Sequence, residues 1–273
     1  VSWAPIGLKR VPISLAMLCV GLGVLLFSSG LLKFQPDPRT WDTVTERLVE
    51  LVVIVSLMGA GLKLDRPVSW RGWSSTWRLL AIAMPLTILA TLALGVWGLG
   101  ITYALTEVVH GYGFLAVFVC GLTIRAWERN HDFHDEMHHF AELTERLLMM
   151  LVLVLFGGAL AQGLLSALTW WDMAIGLTLI LVVRPLAGML AMIGSAQPWR
   201  ERALLSFLGI RGVGTVYYIA YGINHGEFGD SERLWGMVGF IIVSSILIHG
   251  ISATPLMRRL NKARLARPAP AVH

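Results

Sequence analysis

The chain has 273 residues, 56% of them apolar and only 14% charged, with a mean hydropathy of +0.68. Soluble domains carry about 25% charged residues, so the composition excludes a soluble globular protein and reads as an integral membrane protein. The net charge of +5 is not a nucleic-acid signal, because the basic residues are spread over short loops, as membrane topology requires.

Windows of about 19 residues give eight candidate transmembrane helices, over 11–32, 48–64, 79–98, 101–124, 147–165, 173–193, 203–223 and 234–256. The first follows Lys9-Arg10 and is too long, without a small-residue cleavage site, to be a signal peptide. With a cytoplasmic N-terminus over 1–10, sixteen of the 22 basic residues fall in inner segments and four (Lys33, Arg39, Arg47 and Arg233) in outer ones. That bias places both termini inside. The expected fold class is therefore all-α: a polytopic bundle over 11–256 with a basic cytoplasmic tail over 257–273. The tail, rich in Arg, Ala and Pro from Asn261 onward, is expected to be disordered.

One connection has no loop. Gly95-Val96-Trp97-Gly98-Leu99-Gly100-Ile101 runs directly into another apolar segment, and the turn lies either at Gly98–Gly100 or at His110-Gly111-Tyr112-Gly113. Beyond the fourth span, Phe133, Met137, Phe140 and Leu147 recur at helical spacing among polar residues, which predicts a short helix over 130–146 along the cytoplasmic interface. His131, His134 and His138 share one face of it with Asp135. Such a face can sense pH or ligate a metal, and the ordinary alternative is a solvated polar surface. No metal or other cofactor is assigned.

The two charges inside the later spans carry the most information. Arg211 is the sole charge between Ala203 and Ile223 and sits in Gly209-Ile210-Arg211-Gly212-Val213-Gly214. A guanidinium at bilayer depth costs about 2.5–3.5 kcal/mol even on the lenient insertion scale. Gly209, Gly212 and Gly214 each weaken the helix by about 1 kcal/mol relative to alanine. A costly charge on softened backbone is how transporters build ion pathways, although a structural arginine capping carbonyls or snorkelling is the alternative. Arg184 precedes Pro185, which pushes it away from helical geometry and frees a carbonyl. It either satisfies freed acceptors or pairs with a carboxylate across the bundle. Glu107 and Glu50 are read as the only carboxylates within apolar spans, both near span ends, where interfacial exposure competes with a proton- or cation-binding role.

Other signals are structural. Gly21-x-Gly23 and Gly157-Gly158 suit close helix approach. Trp41, Trp70, Trp73, Trp77, Trp170, Trp171, Trp199 and Trp235 flank spans as an interfacial belt. Tyr217, Tyr218 and Tyr221 are candidates to line a cavity, and Cys19 and Cys120 read as buried small residues with no disulfide. Enzyme motifs are missing from the sequence, and a forced pairing of Ser206 or Ser244 with His249 is the sole hydrolase reading available.

Several segments resemble monovalent cation:proton antiporters of the NhaP-type sodium/proton exchanger group. They are Gly59-Ala60-Gly61-Leu62-Lys63-Leu64, His110-Gly111-Tyr112-Gly113-Phe114-Leu115-Ala116-Val117-Phe118, Val183-Arg184-Pro185-Leu186 and Phe207-Leu208-Gly209-Ile210-Arg211-Gly212, continuing through His249-Gly250 to Thr254-Pro255. The resemblance implies exchange of Na+ or K+ for H+ by alternating access, a homodimer in the plasma (inner) membrane, and an arginine at 211 that holds the acidic core. It also implies about a dozen helices, a Thr-Asp-Pro and an Asn-Asp or Asp-Asp pair. No Thr-Asp, Asn-Asp or Asp-Asp occurs here, and the missing block falls near Gly98–Ile101. The chain thus reads as an internally shortened, N-terminally trimmed relative with impaired exchange. The competing reading is a non-transporting remnant that associates with other membrane subunits.

Overall fold

The computed structural model describes residues 14–30, 32, 34–62, 78, 82, 86, 117–118, 120–123, 133–195, 197–208, 212–226 and 228–265. Among them every extended element is helical: α1 (Leu15–Ser28), α2 (Asp42–Leu62), α3 (Phe133–Ala161), α4 (Trp170–Thr178), α5 (Arg184–Ala191), α6 (Trp199–Phe207), α7 (Val213–His225) and α8 (Ser231–Leu265). A π-helical turn, Leu179–Val183, joins α4 to α5. Three stretches, His139–Ala161, Trp170–Ala191 and Ser231–Leu260, are long and apolar enough to cross a membrane, and α1 is a shorter apolar helix. The expected spans 79–98 and 101–124, with the loopless seam between them, lie almost entirely outside the described residues.

Local chemistry explains the helix ends. Ser14 caps α1 by accepting from the Met17 amide, and Thr169 with Asp172 forms a reciprocal capping box at the start of α4. Gly30, Gly163 and Gly194 take φ of 71°, 84° and 74° in the turns that follow α1, α3 and α5, a conformation that costs a residue with a Cβ. Two expectations change here. The polar segment and the span after it are one helix, since α3 runs unbroken from Phe133 to Ala161. The tail is helical as far as Leu265, because the α-helical hydrogen-bond ladder of α8 continues past the apolar span.

Packing runs in a ring: α1 against α3, α3 against α2, α2 against α7, α7 against α8, and α8 back against α1. Between α1 and α3 the backbones nearly touch, and a Cβ on Gly23 would lie 2.1 Å from the Val154 carbonyl oxygen and 3.0 Å from the Gly157 Cα. A Cβ on Gly21 would meet nothing within 4 Å, so the close approach belongs to Gly23 and Gly157, and a Cβ on Gly158 would lie 2.5 Å from the Phe27 ring. The core gathers Cys19, Val49, Val52, Val152, Val216, Ala220 and Ile242, while Leu25, Leu147, Leu186 and Ile193 point outward, as lipid-facing residues do. Trp41, Trp170, Trp171 and Trp199 are exposed, in keeping with a belt, but Trp235 is buried in the core. Cys120 is exposed, against expectation, whereas Cys19 is buried; both are free thiols.

Candidate functional site

The apolar run 203–223 is two helices, not one. α6 ends at Phe207 and α7 begins at Val213 behind an extended Gly212 with no side-chain cap. Of the glycines expected to soften the helix, Gly212 lies in this break and Gly214 lies inside α7. A Cβ at Gly212 or Gly214 would meet nothing within 4 Å, so crowding does not dictate glycine at either place. Gly209 and Arg211 lie outside the described residues.

The freed end of α6 is met by His249 of α8. This side chain is only 2% exposed; its Nε2 lies 2.9 Å from the Phe207 carbonyl, and its Nδ1 lies 3.1 Å from Ser245 Oγ and 2.9 Å from the Ser245 carbonyl. Nε2 is placed to donate to the Phe207 carbonyl, while Nδ1 faces both the hydroxyl and the carbonyl of Ser245. His249 therefore engages neither Ser206 nor Ser244 in these contacts. Ser206 packs instead against Gly188 of α5, where a Cβ would lie 2.7 Å from the serine Cβ.

Arg184 departs from expectation. It stays in helical geometry, with φ −64° and ψ −50°, and its backbone N–H reaches the Leu179 carbonyl. The proline is accommodated by the π turn, which widens the backbone ring ahead of Pro185 rather than unwinding it. The Arg184 side chain is half-buried.

A polar seam crosses the bundle between α2 and α7. Glu46 is 4% exposed, and Asn224 donates from Nδ2 to Glu46 Oε2 at 2.6 Å. Glu46 lies just outside the expected span 48–64 and is not among the candidate carboxylates, Glu107 and Glu50. Glu50 lies one turn on and pairs with the exposed Arg47 at 2.9 Å. Tyr217, buried beside them, stacks loosely on Tyr221 and meets Tyr218 edge-on, and Tyr221 lies flat on His225 at 4.1 Å. The tyrosines therefore fill this seam and pack on the core. Lower on α2, Ser56 donates to Glu145 of α3 at 2.8 Å.

Ion pairs tie the same end of the bundle together. Asp172 is 2% exposed and receives Arg233 bidentately at 2.7 and 3.0 Å. Arg39, in the loop between α1 and α2, holds Asp37 at 2.8 Å and also bridges to Glu232. Burial alone pushes the Asp37 carboxyl upward, but the hydrogen bonds and charge of Arg39 outweigh it, and the carboxyl lies below its usual range.

Glu107 and His131 lie outside the described residues. His134 and His138 fall in the first turns of α3, with side chains outside the described set. Among the described residues no three His, Cys, Asp or Glu side chains converge as a metal site would. Sequence reasoning missed Glu46, Asn224, Asp172 and the structural role of His249. Glu46 is in phase with the buried stripe Val49, Val52 and Gly59, and Thr169-x-x-Asp172 is a capping-box pattern; both signals were present in the sequence.

Apolar helices of spanning length, a helix broken within an apolar run, and buried ionisable groups define the class: a polytopic helical membrane protein. Residues 98–259, more than half of the chain, match the family model described as sodium/hydrogen exchanger, transmembrane. The chain belongs to that sodium/hydrogen exchanger family, a monovalent cation:proton antiporter family. It is 29% identical over 165 residues to a K(+)/H(+) antiporter NhaP of Alkalimonas amylolytica, covering 58% of this chain and 27% of that protein. It is 25% identical over 168 residues to Sodium/hydrogen exchanger 8 of Arabidopsis thaliana, covering 54% of this chain and 22% of that protein. The matches thus span about a quarter of each relative. No solved structure matches the chain.

Proposed function

We propose that the chain forms part of a monovalent cation:proton antiporter, exchanging Na+ or K+ for H+ across the plasma (inner) membrane. The observation that carries this reading is that α6 ends at Phe207 and α7 begins at Val213, with Leu208 and Gly212 outside helical geometry, inside the family-matched region. Interrupted helices leave backbone dipoles and unpaired carbonyls facing a pathway, where ions can be held without a full hydration shell. Arg211 is the proposed electrostatic anchor of that pathway, with Arg184 behind the π turn as a second core charge. Glu107 and Glu50 are weaker candidates for proton or cation binding, and His131, His134 and His138 for pH sensing. Both termini are proposed to be cytoplasmic, and the assembly a homodimer.

The absence of Thr-Asp, Asn-Asp and Asp-Asp from the sequence favours a second reading, a non-transporting membrane subunit that pairs with other helices. Everted vesicles from an antiporter-deficient host expressing only these 273 residues separate the two. Cation-induced collapse of an imposed pH gradient, abolished by Arg211→Ala with insertion unchanged, supports exchange. No response to Na+, K+ or Li+ despite normal insertion overturns it in favour of the remnant.

A further inference from the structure

Glu46 lies outside the family-matched segment 98–259 and in none of the motifs that carry the resemblance. It is nonetheless among the most enclosed ionisable groups described, at 4% exposure, one turn into α2. Burying a carboxylate without a compensating partner is costly, and what Glu46 receives from α7, among the described residues, is a short hydrogen bond from Asn224 Nδ2. The other end of that amide, Asn224 Oδ1, is buried without a hydrogen-bond partner among the described residues. One amide therefore presents a used donor and an unused acceptor beside the same carboxylate. An unused buried acceptor calls for a proton donor or a cation.

We propose that Glu46 and Asn224 form a monovalent-cation site in which the Glu46 carboxylate holds either a proton or an alkali cation. The amide serves both states. With Glu46 ionised, Nδ2 donates to it, and Oδ1 and the carboxylate offer oxygen ligands to a cation entering beside them. With Glu46 protonated, its O–H donates to the amide oxygen after a rotation of the amide that exchanges the two ends, a degree of freedom asparagine has and a fixed backbone group lacks. The exchange balances as Glu46–COOH + M+ giving Glu46–COO−·M+ + H+. A single negative charge with neutral oxygens suits a monovalent ion; a divalent ion takes more oxygens and more charge.

The neighbouring charges fit such a site. On α2, Arg47 and Glu50 pair with each other, and Arg47 also feels Glu46. On α7, Tyr217 lies within electrostatic reach of both carboxylates, with Tyr221 and His225 beyond it. The third neighbour, α3, has no ionisable residue between Leu147 and Ala161. Arg47 is thus the only permanent cation near Glu46 among these, and it is largely exposed and held by Glu50.

The site's place in a transport cycle rests on the antiporter reading; its binding chemistry does not, and the test separates them. The purified 273-residue protein in detergent is titrated with NaCl, KCl and LiCl against choline chloride at matched ionic strength in weak buffer. The expected result is cation-specific proton release where Glu46 carries its proton, and a cation-specific rise in unfolding temperature that is full at alkaline pH and shrinks on acidification. Both responses are lost in Glu46→Gln, weakened in Asn224→Ala and kept in Glu142→Gln, a partly exposed α3 carboxylate paired with Arg146, with all variants monodisperse. Should Glu46→Gln fail to stay monodisperse, Glu46→Asp, which keeps the charge with a shorter reach, is expected to weaken the response without abolishing it. Unchanged proton release in Glu46→Gln, or no cation-specific response in the wild type, overturns the site. Proton release without vesicle exchange leaves the site standing and removes the antiporter reading. Vesicle exchange unaffected by Glu46→Gln does the reverse.

Discussion

The seam between α1 and α3 and the seam between α2 and α7 belong to the same ring of helices yet are filled by opposite chemistry. Along the first, Gly23 and Gly157 let the backbones come so close that no side chain fits, and Cys19, Val20, Val154 and Phe27 close the rest. Along the second, Glu46, Asn224 and Tyr217 sit among Val49, Val52, Val216 and Ala220. In a membrane, lipid competes for apolar contact, so helices associate through close van der Waals packing or through polar groups. The glycine seam uses the first route and has one arrangement. The polar seam uses the second, and its groups have more than one protonation state.

The largest effect expected from this contrast is at the glycine seam. Gly157→Leu places a side chain where even a Cβ would lie 2.3 Å from the Val20 carbonyl. The cost is expected above about 3 kcal/mol, the upper end of overpacking penalties, and is read as loss of monodisperse, membrane-inserted protein. Gly21→Leu, with open space around it, is the control that leaves yield unchanged; equal loss in both would refute the close-approach argument.

Asp172→Ala comes next, since it removes both the capping box of α4 and the bidentate partner of Arg233. Because Arg233 is partly exposed and can rehydrate, a loss of about 1–3 kcal/mol is expected, measured by thermal unfolding in detergent. At the polar seam, Glu46→Gln keeps an acceptor for the Asn224 amide, so stability should change by less than about 1 kcal/mol even as cation response disappears. A collapse as severe as that of Gly157→Leu would make the polar seam structural too.

The smallest effect is acid sensitivity at the loop pair. Arg39 holds the Asp37 carboxyl below its usual range, so the native state favours the ionised form more than the unfolded chain does. That contribution is complete above the unfolded value of about 3.9 and is lost as pH falls through the lower native value. It should be under about 1 kcal/mol for a loop ion pair of this exposure, and Asp37→Asn should flatten the acid limb of unfolding temperature against pH.

Much of the architecture was legible along the chain. The membrane class and the suitability of Gly23, Gly157 and Gly158 for close helix approach follow from apolar runs and glycine placement, whereas Gly21 faces open space and Gly214 lies inside α7. The candidate carboxylates were less legible. Glu50 was singled out because it lies further inside the apolar window, yet it pairs with Arg47 at the surface, while Glu46, nearer the polar edge, turns inward. A hydropathy window averages over all faces of a helix and so cannot separate these two residues. The phase of Glu46 with Val49 and Val52 could. Arg184 shows the same limit: the proline predicts a departure from helical geometry, and the π turn that absorbs it is a choice made by the surrounding packing.

Sequence alone determined that this protein lives in a bilayer, that its elements are helices, and that its ancestry is the sodium/hydrogen exchangers, because lipid leaves the backbone few alternatives to the helix and because motif order survives sequence change. Which polar groups meet was decided only in three dimensions. Glu46 and Asn224 are 178 residues apart, and His249 reaches back 42 residues to the Phe207 carbonyl at the broken helix. Such pairs depend on helix rotation and on how closely neighbouring backbones approach, and those are set by the glycines and branched side chains of the whole ring rather than by any local segment.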